Sequence, residues 1–293
     1  MKRKVLITGI ESFTGRHLSL FFKNLGYNVY GTSLVNSSKR VYKCDITVKE
    51  KITEIIKDIK PDYLINLAGI SFVAHNNNSD FYRINSVGAI NILEACVKAE
   101  HKPKKIIMVS SATVYGNQEM EILDESLHCR PSNHYGASKY SMECLCSAYF
   151  QKLNILIVRP FNYTGIGQSI DFLIPKIISH YQNNSKTIEL GNINVSREFN
   201  DVGFVCEAYK RLIESDTKSM ALNLASGRGV QLLSVIQHMN KIAKYNIEVL
   251  VNQHFVRDNE INSLVGSPNL LFKFIGKVEQ KDISITLRDM YDA

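Results

Sequence analysis

No run of residues in this 293-residue chain approaches the roughly 18 apolar positions that a membrane-spanning helix needs. The start, MKRKVLITGI, is basic and then apolar, as a secretory leader is. Its apolar run ends within a few residues at a glycine, so it reads as a buried first strand. None of the six cysteines (Cys44, Cys96, Cys129, Cys144, Cys146 and Cys206) stands in a C-x-x-C pair, and no Cys/His cluster has zinc spacing. No metal is expected, and the thiols read as the free thiols of a cytoplasmic protein. Lysine and arginine outnumber the acids 35 to 28, a net charge of +7, but no arginine-rich helix or interleaved aromatic pattern gathers them. Nucleic acid is therefore not the expected partner, and a basic cleft for a phosphorylated ligand explains the sign as well. Repeats, low-complexity tracts and flexible linkers are also missing. What remains is 45% hydrophobic and 22% charged, and long enough for one large α/β domain with a smaller appended lobe.

Short apolar runs alternate with helical patterns through the first half. KVLIT, YNVYG, DYLINLA, KIIMVSS and NILIVRP read as strands, and 14–25, 48–59, 81–100 and 134–152 as helices. Strands rich in Val, Ile and Leu and bracketed by helices predict a parallel sheet covered on both faces. The order βαβαβ predicts a Rossmann-like, doubly wound α/β fold. After Pro160 the pattern loosens into loop-rich stretches. We expect residues 1–160 to form a dinucleotide-binding domain and 161–293 a smaller C-terminal substrate lobe that feeds segments back into the main sheet.

TGIESFTG at 8–15 puts Gly9 and Gly15 in the first strand-to-helix turn, with Ser12 where a third glycine often stands. Such a turn brings backbone N–H groups and a helix N-terminus to a pyrophosphate, and the Ser12 hydroxyl is placed to donate to it. The second strand runs into NVYGTSLVNSSKR, which has no carboxylate where an adenosine ribose usually meets one. Ser33, Lys39 and Arg40 stand there instead. Hydroxyls and cations suit a 2′-phosphate, so NADP(H) is favoured over NAD(H). Asp45, after a third strand in VYKCDIT, is placed either to accept from an adenine amino group or to cap the following helix. Further on, HYGASKYSMECL sets Tyr135 one helical turn before Lys139, on one helix face. A nearby ammonium favours phenolate, which would lower the tyrosine's proton affinity toward a range useful for proton transfer.

Taken with NLAG at 66–69, SSATVYG at 110–116 and RPFNYTGIGQ at 159–168, these motifs resemble those of the extended short-chain dehydrogenase/reductases that modify nucleotide sugars. The resemblance covers nearly the whole chain. GNINVSREFNDV and RDNEINSLVGS narrow it toward the reductases of GDP-4-keto-6-deoxy-D-mannose and the related GDP-mannose 4,6-dehydratases. It implies an oxidoreductase in which Ser111 polarises a sugar's 4-keto oxygen, with Thr113 as a second donor. Tyr135 would supply the proton, and Lys139 would hold the nicotinamide ribose and lower the tyrosine's pKa. Cofactor contacts are implied at Gly9, Ser12, Phe13, Thr14, Gly15, Ser33, Arg40, Asp45, Ile46, Leu67, Ala68 and Gly69, besides Tyr135 and Lys139. The nucleotide sugar would meet Ser71, Asn162, Gln168, Arg197, Arg257 and Glu260, with Lys176 a weaker candidate. A homodimer through helices 81–100 and 134–152 is implied as well.

SSATVYG also separates chemistries. Dehydratases of this kind carry Asp-Glu after the hydroxyl residue to move protons in the elimination, and here Ala112 and Thr113 stand there. The same segment is similar to that of UDP-galactose 4-epimerases, which use the same Ser, Tyr and Lys with a retained NAD. The missing acid after the second strand and the tail motifs weigh toward the reductase. One departure touches only the C-terminal lobe: FIGKVEQ replaces a Gly-Trp-x-Pro turn, and the chain has no tryptophan.

Overall fold

A computed structural model describes residues 2–71, 77–255 and 261–293. Its centre is a seven-stranded, all-parallel sheet. Strands β1 (Lys4–Thr8), β2 (Asn28–Ser33), β3 (Val41–Lys43), β4 (Tyr63–Asn66), β5 (Lys105–Val109) and β6 (Ile155–Pro160) are joined by a late strand, Met220–Leu224. The spatial order is β3-β2-β1-β4-β5-β6 and then Met220–Leu224.

The period-2 alternation of each strand sorts its side chains between two cores. Val5 and Ile7 of β1, Ile65 of β4, Ile107 of β5 and Leu156 and Val158 of β6 face α1 (Phe13–Asn24) and the helix Val202–Glu214. Leu6, Leu64, Ile106, Met108, Ile155 and Ile157 face the other way, against α2 (Lys49–Ile59), α4 (Ala89–Lys98) and α5 (His134–Ser147). Val5, Leu6 and Ile7 have no exposed surface at all, and each such side chain adds about 1.5–3 kcal/mol of burial. A third core gathers Ile177 and Tyr181 of the helix Leu173–Gln182, Val235 and Met239 of Leu232–Ala243, and Leu287 of Ile283–Tyr291.

The helix expected at 81–100 begins earlier. A short helix α3 (Asn78–Tyr82) runs into a π-helical turn, Arg83–Gly88, before α4. The expected 134–152 helix ends at Ser147. The chain reverses its direction of sheet building between β1 and β4, so a crevice opens at their C-terminal ends, the usual ligand position in doubly wound sheets. Thr8 Oγ1 donates to Asn66 Oδ1 at 2.6 Å and ties the two strands there.

Candidate active site

The turn from β1 into α1 depends on its glycines. Gly9 sits at φ +67°, and a Cβ there would come within 3.0 Å of the Ala68 backbone. A Cβ on Gly15 would lie 2.5 Å from Gly9 O and 2.6 Å from Ile10 O, so only glycine lets α1 start this close to β1. Ser12 caps α1 by accepting from Gly15 N at 3.1 Å. This explains a serine where a glycine was expected, and it leaves the hydroxyl hydrogen for a phosphate. The first-turn amides of Phe13 and Thr14 are those that helix geometry leaves without intrahelical partners. Their side chains lock the turn instead: Thr14 Oγ1 shares a 2.6 Å hydrogen bond with Tyr163 OH, and the Phe13 ring stacks on Tyr163.

The end of β2 differs from its sequence reading. No carboxylate follows in the strand itself, yet Glu11 reaches across from the β1–α1 turn. Its carboxylate accepts from Ser33 Oγ and, at 2.6 Å, from Asn36 Nδ2. Those two donors hold Glu11 below the usual carboxylate range. The strand and its following loop supply no acid, as the sequence reads, but a carboxylate from the β1–α1 turn stands at the end of β2. Arg40 does not join Ser33 either. Its guanidinium lies over the Tyr30 ring at 5.6 Å, and Tyr30, three residues before Ser33, packs on the opposite sheet face from Val29. Lys39 is exposed at the tip of the tight turn between Ser38 and Val41. Asp45 Oδ1 accepts from Thr47 N at 2.9 Å and Thr47 Oγ1 at 2.8 Å, a turn leading into α2. Ile46 is buried against Gly88.

At the far side of the crevice, β4 runs out into Leu67, Ala68 and Gly69. Leu67 N bonds Thr8 O at 3.2 Å, and Ala68 N bonds Thr8 Oγ1 at 3.4 Å. A Cβ on Gly69 would sit 3.3 Å from Lys139 Nζ, which brings the end of β4 and α5 together. Ser111, after β5, caps a short 3-10 turn, Ala112–Tyr115, accepting from Thr113 N at 3.2 Å and Thr113 Oγ1 at 2.9 Å. Tyr135 enters α5 behind the cap Asn133, whose side chain accepts from Gly136 N at 2.8 Å. Ser111, Tyr135 and Lys139 are all buried.

The electrostatics of this cluster correct one expectation. Burial raises the Tyr135 phenol above its ordinary value, opposed by its hydrogen bond with Ser111. Lys139 does not offset this: its ammonium donates to Val109 O at 2.9 Å. Burial pushes that ammonium down to about 8, opposed by Glu143. The cation is thus itself short of charge stabilisation, and desolvation outweighs any pull toward phenolate.

Several residues that sequence reasoning passed over hold this cluster. Asn85, in the π-helical turn, accepts from Ile70 N at 2.9 Å and donates to Ile70 O at 3.2 Å and Ser138 Oγ at 3.0 Å. Ser138 Oγ in turn donates to Tyr135 O at 2.8 Å. One helical turn past Lys139, Glu143 accepts from Ser110 Oγ at 2.5 Å and pairs with Arg159 Nη2 at 2.6 Å. Arg159 also donates to Tyr115 OH at 3.0 Å. The adjacent polar pair Asn85 and Ser86, both buried in the turn RINSVG, was the available signal for Asn85.

The substrate-side candidates are more dispersed. Asn162 is exposed beside Tyr163, and its carbonyl accepts from Asn200 N at 3.0 Å. Gln168 braces its own turn through Thr164 Oγ1 at 2.7 Å and Tyr163 O at 3.2 Å. Arg197 donates to the carbonyls of Ser196 and Asn262. Its neighbour Glu198 is fully buried and accepts from Asn200 Nδ2, Ser226 N and Gly266 N, and so ties three loops together. Lys176 donates to Glu189 O and lies 4.7 Å from the centre of the Phe255 ring. Ser71 is exposed. Arg257 and Glu260 lie outside the described residues. All six cysteines are free. Among the described residues, no helix is long and apolar enough to cross a membrane, and no three His, Cys, Asp or Glu side chains are grouped to hold a metal.

Residues 5–225 match the model of the NAD dependent epimerase/dehydratase family. The chain belongs to that family. It is 32% identical over 290 residues to a GDP-6-deoxy-D-talose 4-dehydrogenase of Aggregatibacter actinomycetemcomitans, covering 98% of this chain and 97% of the relative. It is 27% identical over 299 residues to a GDP-6-deoxy-D-mannose reductase of Pseudomonas aeruginosa, covering 98% and 96%. Among solved structures, RMD from Pseudomonas aeruginosa complexed with NADPH superposes with a TM-score of 0.85 at 26% identity, over 100% of this chain and 97% of that one. The chain is thus a member of a nicotinamide-dependent enzyme family of nucleotide-sugar dehydrogenases, reductases and epimerases, built on a Rossmann-like sheet.

Proposed function

We propose that the protein reduces the 4-keto group of a GDP-linked 4-keto-6-deoxy sugar, GDP-4-keto-6-deoxy-D-mannose, with a reduced nicotinamide nucleotide. The observation that carries this reading is the buried cluster of Ser111, Tyr135 and Lys139 at the C-terminal edge of the sheet, without an acid at Ala112 or Thr113. The glycine-cradled turn and the free first-turn amides of α1 fit a dinucleotide's pyrophosphate. Gly9, Ser12 and Gly15 would hold it there, with Leu67, Ala68 and Gly69 along the opposite wall. A bound reduced nicotinamide supplies the hydride.

The chain's own residues do the rest. Ser111, with its hydroxyl already bonded to Thr113, turns its donor toward the sugar's keto oxygen. Tyr135 gives its proton to the same oxygen as negative charge builds there, so that two donors meet one oxyanion. A phenol raised by burial is suited to this direction, because an acid must be protonated to donate. Lys139 anchors the cofactor ribose, and Asn85 with Ser138 fixes the start of α5. Without a carboxylate at 112 or 113, the chain has no proton carriers there for eliminating water. Asn162, Arg197 and Gln168 would line the nucleotide-sugar side, and residues 161–293 would supply most of that lobe.

One relative is named a GDP-6-deoxy-D-talose 4-dehydrogenase and another a GDP-6-deoxy-D-mannose reductase, and these two sugars are C4 epimers. The face of attack therefore needs its own experiment. Incubation with GDP-4-keto-6-deoxy-D-mannose and reduced cofactor, followed by chromatography against both alcohols, tests the activity and its stereochemistry together. A 4-epimerase is the second reading. It is favoured by the carboxylate that Glu11 brings to the end of β2, which removes one of the two arguments against a retained NAD.

A further inference from the structure

We propose that Glu11, a residue of the phosphate turn, selects NAD(H) over NADP(H) by occupying the place beside the adenosine ribose 2′ position. In doubly wound folds an acid following the second strand accepts from the ribose 2′-hydroxyl, and cations there accommodate a 2′-phosphate. In this chain the last residue of β2 is Ser33, and its hydroxyl is given to Glu11. Ser33 Oγ also accepts from Val35 N at 3.1 Å and Asn36 N at 3.2 Å, so the serine is held as an acceptor of two amides and a donor to Glu11. Asn36 Nδ2 donates to the other Glu11 oxygen at 2.6 Å. The carboxylate is thereby fixed at the end of β2 by donors 22 and 25 positions away in sequence. It fills the position that a strand-borne acid occupies elsewhere.

The surrounding cations do not neutralise it for a phosphate. Arg40 is drawn over Tyr30, on the sheet face opposite Val29. Arg16 pulls weakly on the Glu11 carboxylate, but its guanidinium donors go to the carbonyls of Glu11 and Gly167 at 3.0 Å each rather than toward a phosphate. Lys39 remains at an exposed turn tip. A ribose 2′-hydroxyl finds an acceptor at Glu11, whereas a 2′-phosphate finds a like charge and a serine already spent as a donor.

The proposal rests on the family's nicotinamide site and is indifferent to whether the chain reduces or epimerises. Calorimetric titration of the full chain with NADH, NADPH, ADP-ribose and its 2′-phosphate tests it without turnover. Native protein should bind the unphosphorylated member of each pair about tenfold more tightly, the order expected for one carboxylate facing a phosphate through water. Glu11→Gln should bring the two within about threefold of each other, chiefly by tightening NADPH, and Glu11→Lys should invert the order. Retained NADH binding by Glu11→Gln reports that the turn is intact. Tighter NADPH binding by the native chain, or an unchanged ratio in Glu11→Gln, overturns the proposal. Binding of neither nucleotide overturns the cofactor site and this proposal with it.

Discussion

Glu143→Ala tests how firmly the catalytic edge is held from behind. Glu143 and Arg159 form a bidentate pair with side chains only 5% and 7% exposed. The carboxylate also takes the Ser110 hydroxyl, next to Ser111. The guanidinium lies 4.9 Å from the centre of the Tyr115 ring. Truncating Glu143 leaves a buried guanidinium without a counter-charge, which costs about 3–5 kcal/mol. At an unfolding entropy of roughly 2 cal/mol/K per residue, this lowers the melting temperature by about 5–8 °C for a chain of this length. The chain has no tryptophan, so far-UV circular dichroism is the appropriate probe. Glu143→Met combined with Arg159→Met should recover most of the loss, because an apolar pair leaves no charge unpaired. A single mutant within about 1 kcal/mol of the native chain would refute the reasoning, since the guanidinium would then have found water or another partner.

Tyr135→Phe should lower turnover about a hundredfold or more with nucleotide-sugar binding little changed, as loss of a positioned proton donor does; steady-state kinetics beside calorimetry separate the two effects. Burial depresses Lys139 from 10.5 to about 8, so its folding penalty is full below pH 8 and is relieved as pH rises from about 8 to 10.5. Lys139→Met should therefore gain about 3 kcal/mol at pH 7 and little near pH 10.5, read from urea unfolding at both values. In the native chain, cofactor affinity should weaken as pH passes about 8 and this ammonium loses its charge, an inflection that Lys139→Met abolishes. Gly15→Ala pushes a Cβ to 2.5 Å from Gly9 O; the turn must shift, costing about 1–3 kcal/mol, and titration should show dinucleotide affinity at least tenfold weaker.

The sheet was legible because its strands are buried on both faces, so runs such as KVLI and NILIV announce themselves without context. The glycine turn and the Tyr135–Lys139 pair were legible for a related reason: each depends on spacing within a few residues. Glu11 was not, because its role depends on Ser33 and Asn36, which the fold returns to it only after α1 and β2 are complete. The same holds for Glu143 with Arg159 and for Glu198 with Ser226 and Gly266. Their partners come from different elements, and no local period marks them. The helix at 81–100 starts earlier than its apolar period because Asn77 caps a polar first turn, Asn78 to Asp80, that carries no apolar residue. The reversed shift on Tyr135 has another origin. Spacing puts the ammonium on the phenol's face, but only the packed structure shows that both are desolvated and that Lys139 is turned to Val109 O.

The central claim is net reduction at C4, and cofactor consumption tests it most directly. Purified protein is given GDP-4-keto-6-deoxy-D-mannose with reduced nicotinamide nucleotide, and separately UDP-glucose alone, while nicotinamide absorbance and sugar products are followed. The account predicts one reduced nucleotide consumed per GDP-6-deoxyhexose formed, with UDP-glucose untouched. A flat absorbance trace with the keto sugar, together with conversion of UDP-glucose to its C4 epimer, would contradict it.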